Sequence, residues 1–392
     1  MTNIENMKAV LLSGKPPVRA DITKYLTVSD SVTKPAIEQN EVLVRVKASA
    51  VNIEDIMNGV GRRMLVSIAA TKEAPVVLGQ EFSGVVEEIG SKVKDFKQGD
   101  EVLGHKIPLR VRWGTWAEFV SVNETVLVKK AACYSFSEAA ALPMSALVAY
   151  GAVKAAGLVD KPLLENAPHK NRKLGDVTVV QDEENKALFM DGVIDQSILK
   201  DTKIAIVGAS STTGLMMVDI LASRGLKVVG VSSASSAAAV LANGAVAVLD
   251  RHVSGGLGSK GDMELDIVID CVGGQDIEDA GRKALGSKGH FITMVGPGGN
   301  FGDGGDGAKA QIGHGAGIAS RSFKSMFSSI KYTQAAMPMA GGGKILEQLM
   351  TENLKSVIDS EVDVFNEEEM HNAQVSPLHH RAGEYKCFKV FS

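Results

Sequence analysis

Over roughly the first 130 residues, apolar and polar positions alternate with a period of two in short runs. Met7–Leu12, Glu41–Val51, Gly84–Ile89, Glu101–Leu103 and Trp116–Val120 read as strands bounded by glycine, proline or charged turns. From Ser137 the period lengthens. The run EAAALPMSALVAYGAVKAAG has helical spacing, and Pro143 inside it predicts two short helices rather than one. Between Lys203 and Pro297 short apolar strands alternate with helical stretches, the pattern of a parallel α/β sheet. Beyond it, Lys344–Leu354 and Glu367–Ala373 read as helices, and Val357–Val364 and Cys387–Phe391 as strands. The strand-rich start and this tail are expected to form one domain around an inserted sheet domain.

Two segments break the rhythm. Leu158–Thr202 carries a possible hairpin, Val177–Val180 with Lys186–Met190, around the turn Asp182–Asn185. Gly296–Gly317 holds ten glycines, so ordering it costs much backbone entropy. A lid beside a ligand and a floppy surface loop both fit that composition.

The stretch that carries most chemistry is Lys203–Gly214, KIAIVGASSTTG. A strand, Ile204–Val207, breaks at Gly208, and a helix restarts with Leu215, Val218, Leu221 and Ala222 on one side. Two further strands follow, Lys227–Val231 and Asp266–Asp270. This is the opening of a dinucleotide-binding βαβ unit, in which glycine lets the backbone turn against a pyrophosphate. The new helix then offers its free N–H groups and positive dipole end to the anion. The spacing is looser than G-x-G-x-x-G, so the strands that follow carry more of the argument than the string itself.

Composition narrows the partners. The chain has 392 residues, enough for about two domains, with a net charge of −4, 45% hydrophobic and 22% charged residues. Lysines and arginines are scattered, which gives no footprint for nucleic acid. Three distant cysteines, Cys133, Cys271 and Cys387, do not make a disulfide framework. No apolar run is long enough for a membrane span, and MTNIENMKAVLL lacks the order of a signal peptide. A soluble, reducing cytoplasmic setting is the default expectation, with an organelle origin and a removed leader as the alternative.

At this point the chain resembles the medium-chain dehydrogenase/reductases, and among them the zinc-independent quinone oxidoreductase branch. The residues that carry the resemblance are VLVRVKASAVNIEDIMNG (42–59), LGQEFSGVVEEIG (78–90), FKQGDEVLG, GTWAEFV, EAAALPMSALVAYGA and DIVIDCVGG, in that order. The tail, SRSFKSMFSSIKYTQ followed by GKILEQLMTENLKSVID, is most similar to the reticulon-interacting mitochondrial reductases. The fold implied is α/β: a GroES-like β-rich catalytic domain with an inserted Rossmann domain, a doubly wound parallel sheet. The boundaries expected are 1–146 for the first part of the catalytic domain and 147–330 for the NADP(H)-binding domain, with 158–202 as an extra segment. Residues 331–392 return to the catalytic domain. The resemblance also implies a homodimer.

The resemblance makes the zinc question sharp. Zinc-dependent members of the superfamily place a Cys, a His and a second Cys where this chain has Asn52, Gln80 and Met144. None offers a thiolate or imidazole, so a tetrahedral N/S site is not expected and the metal set is empty. His379-His380 reads as a solvated pair. Asn52 falls in the family's catalytic slot, near the nicotinamide and the substrate carbonyl; Gln80 lines the substrate pocket or simply holds the loop, and Met144 is expected at the substrate pocket. Asp55 is expected to orient its turn rather than to act as acid or base.

For the cofactor, the expected contacts are Gly208, Ser210, Ser211, Thr212, Thr213 and Gly214 in the turn, with Val272, Val295 and Gly296 at the ends of the neighbouring strands. The second strand ends in Ser232 and Ser233 with no acid to take ribose hydroxyls, which favours NADP(H) over NAD. Ser233 falls where the family binds the 2′-phosphate, and Arg251 is placed to pair it or stack on adenine. Ser232–Ser236 simply capping the next helix is the competing reading. Relatives usually carry glycines where this chain has Ser211 and Thr212, whose side chains either bond the phosphates or crowd them. Cys271 reads as a small buried residue.

The activity implied is hydride transfer from NADPH to a quinone or an α,β-unsaturated carbonyl. Tyr25, Tyr134, Tyr150, Tyr332 and Tyr385 are the tyrosines available as proton donor, beside solvent. An enoyl-thioester reductase and a nucleotide-binding regulatory protein without turnover are the alternatives.

Overall fold

The structure is a computed structural model that describes residues 5–14, 16, 21–52, 54–55, 71, 74–106, 113–181, 187–190, 201–252, 257, 265–296, 317–323, 325, 328–338, 341–355, 360–363, 365–372 and 386–389. The hairpin turn at 182–186, most of the glycine-rich segment, His379-His380 and Tyr385 lie outside the described residues. The chain forms two compact units: 1–144 with 339–351 and 356–392, and 145–338 with 352–355.

The first unit is built on antiparallel strands. β1 (Asn6–Leu12), β2 (Leu26–Thr33), β3 (Glu41–Ala50), β4 (Val76–Val77), β5 (Glu81–Ile89), β6 (Glu101–His105), β7 (Phe119–Asn123) and β8 (Leu127–Lys129) precede two helices, α1 (Phe136–Ala140) and α2 (Pro143–Ala155). Pro143 opens α2, where its missing N–H would be unpaired anyway, so the predicted break falls where proline is tolerated. Ser135 caps α1 in a capping box with Glu138. The strand expected at Trp116–Val120 begins instead at Phe119; the Trp116 carbonyl accepts from Val10 N–H at 2.9 Å and its N–H donates to the Leu78 carbonyl at 3.0 Å, contacts too isolated to make a strand.

Strands β1, β2 and β4 form a three-stranded sheet. The larger sheet runs β17-β18-β3-β5-β6-β8, with β7 also on β3, and its last two members come from the tail: β17 (Ser360–Asp363) and β18 (Lys386–Lys389). Strand β5 shows how the pleat sorts its residues. Phe82 and Val86 face the core with Trp116, Leu12 and Leu43. Glu81 and Ser83, one position out of phase, face the other way, and Ser83 Oγ donates to the carbonyl of Phe136 in α1 at 2.5 Å.

The second unit holds β9 (Val179–Gln181), β10 (Ala187–Met190), β11 (Ile204–Val207), α3 (Thr212–Ala222), β12 (Val228–Ser232), α4 (Ala237–Ala242), β13 (Ala247–Asp250), β14 (Leu265–Asp270), α5 (Gln275–Ala284), β15 (Leu285–Thr293) and β16 (Lys331–Gln334). Its sheet order is β16-β15-β14-β11-β12-β13-β10-β9. The stretch β13-β12-β11-β14-β15-β16 is parallel throughout, the 3-2-1-4-5-6 order of a dinucleotide-binding fold. Lys331–Gln334, grouped by the sequence reading with the returning tail, is the edge strand of this sheet.

The extra segment belongs to the same sheet. β9 and β10 pair as a hairpin, and β10 runs antiparallel to β13, so the insertion extends the sheet past the strand where the parallel pattern stops. Upstream, His169 Nε2 lies 2.6 Å from the buried Asp219 of α3, and Lys170 Nζ lies 2.7 Å from the same oxygen. Arg224 and Glu352 form a buried bidentate pair at 2.8 and 2.7 Å. The tail helices α6 (Gly342–Thr351) and α7 (Glu367–Asn372) complete the first unit.

Candidate functional site

In the first unit the three positions that zinc enzymes give to ligands converge on a pair of buried carboxylates. Asn52 follows β3 and opens a short turn in which its Oδ1 accepts from the backbone N–H of Glu54 at 3.1 Å. Asp55 closes the turn: its Oδ2 accepts from the Asn52 N–H at 2.8 Å, and its own N–H donates to the Asn52 carbonyl at 3.0 Å. Gln80 Nε2 donates to the other Asp55 oxygen at 3.3 Å. Asn52 Nδ2 donates to Glu81 Oε1 at 3.2 Å, and Met144 N–H donates to Glu81 Oε2 at 2.9 Å. That last donor is a first-turn N–H of α2, which the helix cannot satisfy itself. The Glu81 carbonyl accepts from Ser49 Oγ at 2.7 Å, and Ser49 in turn touches Thr115 Oγ1 at 2.7 Å.

Both acids are sealed from water. Burial pushes Asp55 up to about 7, against the pull of its bonds from Asn52 and Gln80. Burial likewise pushes Glu81 up to about 8, with the Asp55 charge adding in the same direction. Gln80, expected at the substrate pocket, is buried and bonded to Asp55; Met144 enters the cluster through its backbone. Asn52 is only partly buried. Among the described residues no group of three or more His, Cys, Asp or Glu side chains is arranged to hold a metal ion.

In the second unit the phosphate turn is made of backbone. Gly208 takes φ +78°, and a Cβ there would stand 2.8 Å from Val272. Gly214 is tighter: a Cβ would meet the Gly208 carbonyl oxygen at 2.3 Å and Ala209 Cα at 2.8 Å, so only glycine lets α3 start this close to the turn. Ser211 serves the helix. Its Oγ donates to the Gly208 carbonyl at 2.8 Å and accepts from the Gly214 N–H at 3.0 Å, making it the N-cap of α3. Thr212 and Thr213 are partly exposed in the first turn, and Ser210 is buried.

At the end of β12 Ser232 is buried and Ser233 partly exposed. Ser233 Oγ lies 3.0 Å from Ser235 Oγ and 3.1 Å from Ser236 Oγ, and neither Ser233 nor Ser236 caps a helix N–H with its side chain. The Arg251 backbone N–H donates to the Ser232 carbonyl at 2.9 Å, and its side-chain Nε meets His252 Nε2 at 3.0 Å. A buried carboxylate ties the neighbouring rim together. Asp270 Oδ1 accepts from Val272 and Gly273 N–H groups at 2.8 and 2.9 Å, and its Oδ2 accepts from Thr293 Oγ1 at 2.8 Å. Thr293 Oγ1 in turn accepts from the Val295 and Gly296 N–H groups at 3.2 and 2.9 Å. Val295 and Gly296 thus sit just past the end of β15, and burial raises the pKa of Asp270.

These residues fit a nicotinamide dinucleotide. The cradle at Gly208 and Gly214 excludes side chains, α3 opens onto it, no acid ends β12, and serine hydroxyls gather at the end of β12. Cys271 is buried, and burial raises its thiol, so it stays unreactive. Tyr332 is buried beside Phe291, and burial holds its phenol near 12, which makes it a poor proton donor.

Sequence reasoning missed Glu81, Asp270 and Thr293, and gave Asp55 no more than an orienting role. The available signal was an acid inside, or at the end of, an otherwise apolar strand: Glu81 before Phe82, and Asp270 closing Leu265–Asp270.

Residues 38–132 match the alcohol dehydrogenase GroES-like domain. The chain is 35% identical over 136 residues to a 2-methylene-furan-3-one reductase of Solanum lycopersicum, a stretch that is 34% of each protein. It is 29% identical over 291 residues to the mitochondrial NAD(P)H oxidoreductase RTN4IP1 of Homo sapiens, covering 70% of this chain and 63% of that one. The matched stretches therefore span between a third and two thirds of these relatives. In fold, the quinone oxidoreductase of Coxiella burnetii superposes with a TM-score of 0.67 at 19% identity, covering 98% of this chain and all (100%) of that one. An Escherichia coli quinone oxidoreductase complexed with NADPH gives 0.65 at 16% identity, covering 98% and 100%.

Proposed function

We propose that this chain, which carries the GroES-like domain and the fold of the medium-chain dehydrogenase/reductases, is a zinc-independent, NADPH-dependent reductase of quinones or α,β-unsaturated carbonyls. The observation that carries the reading is the fate of the three ligand positions. Asn52 and Gln80 spend their amides, and Met144 its backbone N–H, on a pair of buried carboxyls, and none of the three supplies a thiolate or an imidazole for zinc. An alcohol oxidation that needs a Lewis acid is therefore disfavoured by the donor set itself.

The nicotinamide, when bound, supplies the hydride. Gly208, Gly214 and the opening turn of α3 would hold its pyrophosphate, and Ser233 with Arg251 would take the 2′-phosphate. The part left to the first unit is polarisation of the acceptor. Asn52 has one Nδ2–H on Glu81 and its Oδ1 on the Glu54 N–H, so its second Nδ2–H is the donor left for a carbonyl oxygen. A donor held in place before charge develops on that oxygen lowers the barrier without reorganisation. In an enone the hydride goes to the β-carbon, the C=C bond becomes single, and the α-carbon takes a proton from solvent. A quinone gains the same hydride and proton to give the hydroquinone. The relatives named as a furanone reductase and, in Arabidopsis thaliana, as an NADPH-dependent alkenal/one oxidoreductase support the enone side of this choice.

The test is loss of NADPH absorbance with a panel of quinones and enones, with and without a zinc chelator, and with NADH in parallel. Turnover that ignores the chelator and prefers NADPH is expected. Tight nucleotide binding with no acceptor turned over would replace the reading by a nucleotide-binding protein without turnover.

A further inference from the structure

Of the two buried acids in the polar layer of the first unit, Glu81 is the one whose carboxylate touches the Asn52 side-chain amide. We infer that Glu81 is a positioning residue that fixes the orientation of this amide, and so decides whether an N–H or a C=O is presented to the acceptor's oxygen. This rests on the reductase reading.

The bonds around Asn52 leave little freedom. Its Oδ1 is claimed by the Glu54 N–H and one Nδ2–H by Glu81, which together leave a single outward donor. That arrangement needs Glu81 as an acceptor on both oxygens, since Met144 N–H occupies the other one. If Glu81 carries a proton on the oxygen facing Asn52, that oxygen can donate, and the amide answers it by turning its Oδ1 toward Glu81. The turn sets Nδ2 against the Glu54 N–H, donor against donor, where Oδ1 now accepts. An amide turned in this way no longer presents the same donor.

Among the described residues, the groups facing Glu81 do not supply a cation to keep it ionised. Asp55 lies on the same turn as Asn52 and is an acid. His105, on β6, is directly opposite Glu81 in the antiparallel register, hence on the same face of the sheet. It is buried, both its ring nitrogens are without a hydrogen-bond partner among the described residues, and burial holds it neutral down to about 4. The Lys106 ammonium turns away to the Ser121 carbonyl at 2.8 Å. Glu81 therefore keeps its proton until the pH reaches about 8.

The experiment compares wild type, E81Q, N52A and the double variant in acceptor reduction from pH 6 to pH 10. The amide introduced by E81Q offers a permanent N–H where protonated Glu81 offers O–H, so this variant imitates the acid form without leaving a void. In wild type kcat should rise through about pH 8; in E81Q it should be lower at high pH by roughly tenfold or more, and flat. The KM for NADPH should be unchanged, and the double variant should be no slower than N52A. An E81Q profile that still rises through pH 8, or additive losses in the double variant, would overturn the inference. A second readout needs no turnover. The Asn52 side-chain amide resonance, identified by its loss in N52A, should move through the same pH range in wild type and stay still in E81Q. If no acceptor is reduced by wild type, the reductase reading fails. The resonance then decides Glu81 separately, and a peak that ignores pH in wild type would sink it.

Discussion

The two halves of the chemistry are built from different materials. The turn between β11 and α3 in the second unit is backbone: glycine positions where no Cβ fits, helix N–H groups, and a serine that caps the helix. The polar layer of the first unit is side chains holding side chains, with Asn52, Asp55, Gln80 and Glu81 each defined by another member. A backbone cradle is stable because nothing in it titrates. A buried carboxylate pair is stable only while protons or hydrogen bonds offset its desolvation. The same contrast decides what a mutation or a change of pH does to each half.

The largest difference should appear in pH dependence. A carboxyl that releases its proton near 3.8 in the unfolded chain but holds it to about 7 in the fold leaves the unfolded state with fewer bound protons across that interval. Stability then falls as pH rises, by about 4 kcal/mol for Asp55 alone, and levels off above pH 7. Glu81 extends the fall to about pH 8. Asp55→Asn removes the Asp55 part, since an amide oxygen still accepts from the Asn52 N–H and Gln80 can turn its own amide to match. Urea denaturation at pH 5 and pH 8 should therefore show D55N gaining on wild type by about 3 kcal/mol between the two. Parallel losses in both proteins would mean that Asp55 is ionised in the fold and the layer is held by charge after all.

Next in size is Gly214→Ala. In the body of a helix this change gains roughly 1 kcal/mol from propensity. Here the new Cβ would stand 2.3 Å from the Gly208 carbonyl oxygen, backbone that cannot swing aside. Overpacking of this kind costs about 1–3 kcal/mol or more, so the clash outweighs the propensity. The melting temperature should drop and NADPH affinity should fall with it, because α3 must withdraw from the turn. An unchanged melting temperature would show that the turn has slack, and the contrast with the side-chain layer would weaken.

How far each half was legible in the sequence follows from the same difference. Strand β11, the turn at Gly208, the strand order that follows and the break at Pro143 could be read because backbone demands leave local marks: a glycine, a proline, a run of apolar residues. Glu81 could not, since a glutamate in GQEF is locally an ordinary strand residue; only the fold brings Met144 N–H and the Asn52 amide onto its two oxygens. Asp270 was hidden for the same reason, its partner Thr293 being a strand away. The hairpin in the insertion was visible as alternation, but its place beside β13 depends on a pairing between distant segments that no local pattern encodes.

Ser211 gives the smallest effect and the finest test of the contrast, because it is a side chain inside the backbone-built half. Its Oγ answers the Gly214 N–H, so Ser211→Ala should lower stability by about 1 kcal/mol through the lost cap, whereas Ser211→Gly, which an N-cap tolerates, should lose only a few tenths. Nucleotide affinity separates the two roles a hydroxyl could have here. If Ser211 works only as a cap, removing it frees the Gly214 N–H for a phosphate oxygen, and NADPH should bind S211G at least as tightly as wild type. If the hydroxyl itself bonds the phosphates, both variants should bind more weakly, by about tenfold for a bond worth roughly 1.4 kcal/mol. Melting curves with and without NADPH measure both quantities in one titration. Equal stabilisation by nucleotide in wild type and S211G would place the serine with the helix, and leave the recognition of pyrophosphate to the backbone.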